Sequence, residues 1–193
     1  MTPFKSEWTA LACYPTVPSD AVRGVDTRLE REPSGSLTLR YVLRADMLQV
    51  RIPPQAPSIR ADGLWAHTCF EAFIAPAAGA GYYELNFSPS RQWAIYSFEA
   101  YRQGMSPTDV TVPPKLTVRA FDDRLELDAT ILLDDLKGLQ AARTLKLAVT
   151  AVVEDDGGTL SYWALKHAPG KPDFHHTDGF ALELPGDLMG QPK

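Results

Sequence analysis

With 193 residues, 45% of them hydrophobic, the chain has material for one all-β domain with its own core and needs no metal or disulfide staple. Its 19 Lys and Arg against 24 Asp and Glu leave a net charge of -5, so an approaching polyanion is repelled and nucleic acid is not an expected partner. No apolar run approaches the roughly 18 residues of a membrane helix, and Met1 to Tyr14 has no basic segment followed by an apolar stretch, so a cytoplasmic location away from membranes is expected.

Cys13 and Cys69 are expected to be buried thiols, although one pair is also compatible with a single disulfide. From Leu37 to Leu43 the period is two: Leu37, Leu39, Tyr41 and Leu43 share one face, with Thr38, Arg40 and Arg44 turned away. Leu48, Val50 and Ile52 repeat the pattern against Gln49 and Arg51, and the prolines from Pro53 to Pro57 then predict a loop. Cys69, Glu71 and Phe73 alternate with Phe70, Ala72 and Ile74. A carboxylate in so apolar a strand is costly without a partner. Glu71 therefore needs Arg91, a hydroxyl or a ligand, unless it lies at an exposed edge.

Tyr82 to Phe98 reads as a hairpin about Ser88-Pro89-Ser90-Arg91, with Pro89 pre-setting the turn. A tight turn sets Asn86 opposite Trp93 and Glu84 opposite Ile95, with Tyr83, Leu85 and Phe87 on the other face. Pro113-Pro114 marks a loop, and Leu125, Leu127, Ala129 and Ile131 form a further alternating strand. Asp134 to Gln140 carries an acidic start and helix formers enough for about two turns. Leu145 to Val153 presents a long apolar face, and Asp155-Asp156-Gly157-Gly158 predicts a second hairpin. That hairpin is expected to set Val153 against Leu160 and Thr150 against Trp163, placing Trp163 on the polar face beside Thr150 and Lys146. There its ring is either a stacking surface or second-layer core beneath covering loops.

Many short strands without intervening helices predict an all-β antiparallel β-sandwich, jelly-roll-like, with at most one short helix. Residues 1–184 form the expected single domain, and 185–193 a loose tail. His175-His176-Thr177-Asp178 is a candidate acid–base cluster for an enzyme, or else a loop ordered by its own hydrogen bonds; it lacks the spacing of a strong metal motif.

The run Leu64-Trp65-Ala66-His67-Thr68-Cys69-Phe70-Glu71-Ala72-Phe73, followed by Tyr82 to Pro89, resembles the DOMON-like superfamily, which includes the family 9 carbohydrate-binding modules. The later stretches Tyr162 to His167 and Gly170 to His176 resemble a bacterial stand-alone branch of it. The resemblance implies a β-sandwich that binds a sugar or haem. In the sugar-binding members a tryptophan, a glutamate six positions later, an arginine and a late aromatic clamp the ring. It implies Trp65, Glu71 and Arg91 in those roles, with Trp163 or Phe174 as the late aromatic. The site expected on these grounds comprises Trp65, Glu71, Asn86, Arg91, Trp93, Trp163, His175 and His176, taking a sugar-like small molecule. The haem-binding members use a methionine and a histidine as axial ligands, for which Met47 and His167 are the candidates for haem b.

Overall fold

The computed structural model describes residues 3–140 and 142–185. The strands in chain order are β1 (Phe4–Lys5), β2 (Thr9–Cys13), β3 (Val22–Arg31), β4 (Ser36–Ala45), β5 (Cys69–Pro76), β6 (Tyr82–Phe87), β7 (Trp93–Phe98), β8 (Ser106–Pro107), β9 (Lys115–Ala120), β10 (Arg124–Leu132), β11 (Thr144–Glu154), β12 (Leu160–Ala164) and β13 (Leu182–Pro185). All pair antiparallel in one continuous sheet of order β8-β7-β6-β5-β11-β12-β2-β3-β4-β10-β9, with β1 on β3 and β13 on β11.

The sheet curls into two layers because β2 pairs with both of them. Its end, at Ala12 and Cys13, lies beside β12, while Thr9 to Leu11 lie beside β3. A strand that changes partners in this way makes the corner of a sandwich. The first layer is β3, β4, β10 and β9; the second runs from β12 through β11, β5 and β6 to β7 and β8.

Alternation decides which side chains fill the space between the layers. Leu37, Leu39, Tyr41 and Leu43 of β4 and Leu125, Leu127, Ala129 and Ile131 of β10 are buried as expected, facing Phe70, Leu85, Phe87 and Val149 of the second layer. Tyr41 packs on Phe70 with ring centroids 4.9 Å apart, and its hydroxyl donates across the layers to the Glu71 carbonyl at 2.8 Å. The outer face of the first layer is ionic, with Arg40 bridging Glu30 and Asp128 and Arg119 bridging Glu126 and Asp128.

Several local expectations are corrected. Asp134 to Gln140 is not a helix: one 3-10 turn, Leu133–Asp135, stands there, and Gly138 at φ 86 breaks continuation. Leu48 to Ile52 is not a strand; Val50 makes one bridge to Asp155 and Leu48 is exposed. Cys69 is buried but Cys13 only half-buried, and both are free thiols. Pro185 closes β13 and so is not tail, while residues 186–193 lie outside the described residues.

Both hairpins are one residue out of the expected register, for one shared reason. In the first, the Arg91 amide donates to Ser88, Arg91 adopts φ 76, and the Ser88 amide pairs with Gln92. In the second, Gly158 donates to Asp155 at φ 84 and Asp155 pairs with Thr159. Each is a three-residue loop with a left-handed residue closing a bulge. The added residue sets Trp93 opposite Phe87 and Trp163 opposite Ala151, so Asn86 faces Ala94 and Thr150 faces Ala164. A one-residue slip sends a side chain to the opposite face. Both tryptophans therefore point into the core.

Candidate functional site

The outer face of the second layer follows from the same registers. Glu71 and Phe73 of β5 lie beside Asn86 and Glu84 of β6, and Val152 of β11 lies beside Tyr162 of β12. Three loop segments rise around this face, carrying Trp65, then Arg102 and Met105, then Phe174 and His175. Together they enclose a hollow of about 460 Å³, within the usual range for a small-molecule site.

Trp65 sits in the 3-10 turn Leu64–Ala66, entered through Gly63 at φ 74. Before it, Asp62 accepts from Tyr96 and is held by Arg60 at 2.6 Å. After it, His67 bonds the buried Glu154 at 2.7 Å, and Thr68 Oγ1 donates to the Arg51 carbonyl. Pinned at both ends, the turn leaves the indole 39% exposed, in edge contact with the Tyr96 ring. Such a ring is placed to stack on a guest.

Glu71, 2% exposed, forms part of the floor. Burial, then the negative Glu84, push its carboxyl well above the usual carboxylate range. Neither Glu71 Oε1 nor Thr150 Oγ1 has a hydrogen-bond partner among the described residues. Glu84 is also raised by burial, against the hydrogen bond from Asn86 Nδ2 at 2.9 Å and the charge of Arg102. Asn86 is wholly buried and does not line the hollow itself.

The opposite wall is organised by Asp173. Its carboxylate accepts from Tyr101, from Arg102 Nη2 at 2.8 Å and from the His175 amide at 3.1 Å. Burial alone would raise this carboxyl, but the Tyr101 and Arg102 bonds outweigh it and hold it below its ordinary value. The Tyr82 hydroxyl accepts from the Arg102 amide at 3.1 Å and lies 2.8 Å from His175 Nδ1. With Tyr82 donating to Nδ1, His175 Nε2 keeps its hydrogen and points toward Glu84 Oε2 at 3.7 Å. That separation is too long for a hydrogen bond.

Burial, then the charge of Arg102, depress the His175 pKa to about 4. The folded state thus prefers the neutral ring. This preference is fully present above the ordinary histidine pKa of 6.5 and is lost as pH falls toward about 4. Across that interval it amounts to roughly 3 kcal/mol. Thermal melts of wild type and His175→Gln between these limits should show a steeper acid loss in wild type; parallel curves would contradict the assignment.

The expected site residues divide. Trp65, Glu71 and His175 meet in the hollow, and Phe174 rather than Trp163 is the late aromatic on its wall. Trp163 is 7% exposed, with Nε1 donating to Ser161 Oγ at 3.0 Å, and Trp93 is equally buried. Arg91 occupies the exposed hairpin turn and does not line the hollow. His176 turns away from His175, its Nδ1 accepting from the Asp178 amide as the cap of a 3-10 turn. Of the two histidines only His175 borders the hollow, and among the described residues no group of three or more His, Cys, Asp or Glu is placed to hold a metal.

Met47 packs against the core, and His167 Nε2 is 2.8 Å from the Ala12 carbonyl. Neither borders the hollow, so their placement lends the haem alternative no support. Glu84, Phe98 and Arg102 were not among the expected site residues. Glu84 was within reach of the alternation that placed Asn86; no sequence signal marks Arg102, a non-glycine at φ 53.

No family model matches the chain, and no curated protein is significantly similar to it. Among solved structures, a candidate carbohydrate-binding protein from Bacteroides uniformis ATCC 8492 has a TM-score of 0.71 at 16% identity, covering 94% of this chain and 86% of that one. A family 9 carbohydrate-binding module from Caldicellulosiruptor kristjanssonii in complex with glucose scores 0.55 at 10% identity, covering 97% and 88%. The same organism's module in complex with cellotriose scores 0.57 at 11% identity, covering 97% and 87%. At these identities the likeness is one of fold.

Proposed function

We propose that this chain is a non-catalytic carbohydrate-binding module, a DOMON-like relative of the family 9 modules, and that the outer-face hollow receives the sugar. The observation that carries the reading is the meeting of an exposed indole, Trp65, with a buried and incompletely bonded carboxyl, Glu71, in one open hollow. The C–H face of a pyranose is apolar and stacks on aromatic rings, while its rim is a row of hydroxyl donors. Trp65 and Phe174 supply the first kind of surface, and Glu71 and Glu84 accept the second. Rotation about the terminal Glu torsion costs little, so either Glu71 oxygen is available to a guest. The fold is shared with modules that hold glucose and cellotriose, which supports the same reading.

Desolvating many hydroxyls offsets much of the gain, so affinity is expected between millimolar and micromolar, about -4 to -8 kcal/mol. Calorimetric titration with a panel of hexoses, pentoses and short β-glucans should find at least one saturable ligand in that range. No heat with any saccharide up to solubility would overturn the proposal.

A further inference from the structure

The charged side chains bordering the hollow are Glu71, Glu84 and Arg102. Arg102 is already committed, its guanidinium bonded to Asp173. The two acids are not matched in the same way. In the β5–β6 pairing Glu71 lies opposite Asn86 and Glu84 opposite Phe73, which makes the carboxyls diagonal neighbours on one face. Such neighbours stand on the order of 7 Å apart at their Cβ atoms, close enough for one small cation to touch both.

Around Glu71, β6 contributes Glu84 and Asn86, β11 contributes Thr150, its own strand contributes Cys69, and Tyr41 reaches its carbonyl from the first layer. From the loops come Arg102, paired, and His175, neutral. None of these brings positive charge to Glu71, while Arg102, paired with Asp173, acts on Glu84. Glu84 has one bond, from Asn86, and Glu71 Oε1 has none among the described residues. The aromatic surfaces of Trp65, Phe73, Phe98, Tyr162 and Phe174 surround them, a setting that favours organic cations as well as sugar rings.

We propose that the hollow selects a sugar bearing a protonated amino group, a hexosamine-type ligand whose ammonium lies between Glu71 and Glu84 while its ring stacks on the aromatic wall. This rests on the carbohydrate reading and sharpens it. A neutral sugar leaves the two neighbouring acids unmatched. An ammonium lying between them favours the ionised form of both carboxylates.

The test is calorimetry with glucosamine, glucose and N-acetylglucosamine at about pH 6, where a sugar amine is charged. Glucosamine should bind at least tenfold tighter than either neutral sugar. The glucosamine-to-glucose affinity ratio should collapse toward one in both Glu71→Gln and Glu84→Gln, with melting curves confirming that each variant is folded. Neutral sugars binding as tightly as glucosamine, or a ratio unchanged in both variants, would overturn the amino-sugar inference and leave the carbohydrate reading standing. Failure of all three sugars and of the wider panel would overturn both.

Discussion

Trp163→Ala is expected to cost about 3–5 kcal/mol of stability, the range for emptying an aromatic site in a packed core. The indole is 7% exposed, faces Ala151 across the β11–β12 pairing, and bonds Ser161. For a chain of this size each kcal/mol moves the melting temperature by about 2–4 °C, so a fall of about 6–20 °C should appear by calorimetry or circular dichroism. Trp163→Phe fills most of the space and should fall much less. Had the indole stood on the polar face beside Lys146, truncation would leave the melting temperature nearly unchanged and weaken ligand binding instead.

Trp65→Ala is expected to do the reverse. The residue is 39% exposed and its ring meets the edge of Tyr96, while its turn is held by the Asp62 and His67 bonds that flank it. Truncation should therefore shift the melting temperature by no more than about 2 °C. The same change removes a stacking surface, and saccharide affinity should fall at least tenfold, about 1.4 kcal/mol. Retained affinity in a folded Trp65→Ala variant would remove this residue from the site.

The contrast between these tryptophans marks where sequence reasoning succeeds and where it stops. Alternation along a single strand needs no partner, so the faces of β4, β10 and β5 are readable from spacing alone, Glu71 opposite in sense to Phe70 included. Placing one strand against the next requires the loop between them. Pro89 and the glycines at 157 and 158 announce turns, but a left-handed closing residue adds a position to each hairpin, and Arg91 carries no outward sign of that conformation. One unannounced residue per loop sent Trp93 and Trp163 inward and removed two of the expected aromatic contacts.

The walls of the hollow were harder still to read. Arg102, Asp173 and Tyr101 come together from loops separated by about seventy residues, and no local period links them. Glu84 lies on a face that alternation did identify; its pairing with Asn86 and its closeness to His175 appear only once β6 is set between β5 and β7. The resemblance to sugar-binding modules led to Trp65 and Glu71, which the fold brings together, and to Arg91, which it leaves in an exposed turn.

The most direct measurement is a two-dimensional amide and indole N–H titration of the labelled protein with a bound saccharide. The chain has four tryptophans, hence four resolvable indole reporters. The account predicts that Trp65 moves while Trp93 and Trp163 stay fixed, together with backbone amides near Glu71, Glu84, Arg102 and His175. Saturable binding that leaves Trp65 unmoved, with the perturbed amides gathered on the ionic face of β3, β4 and β10, would contradict it.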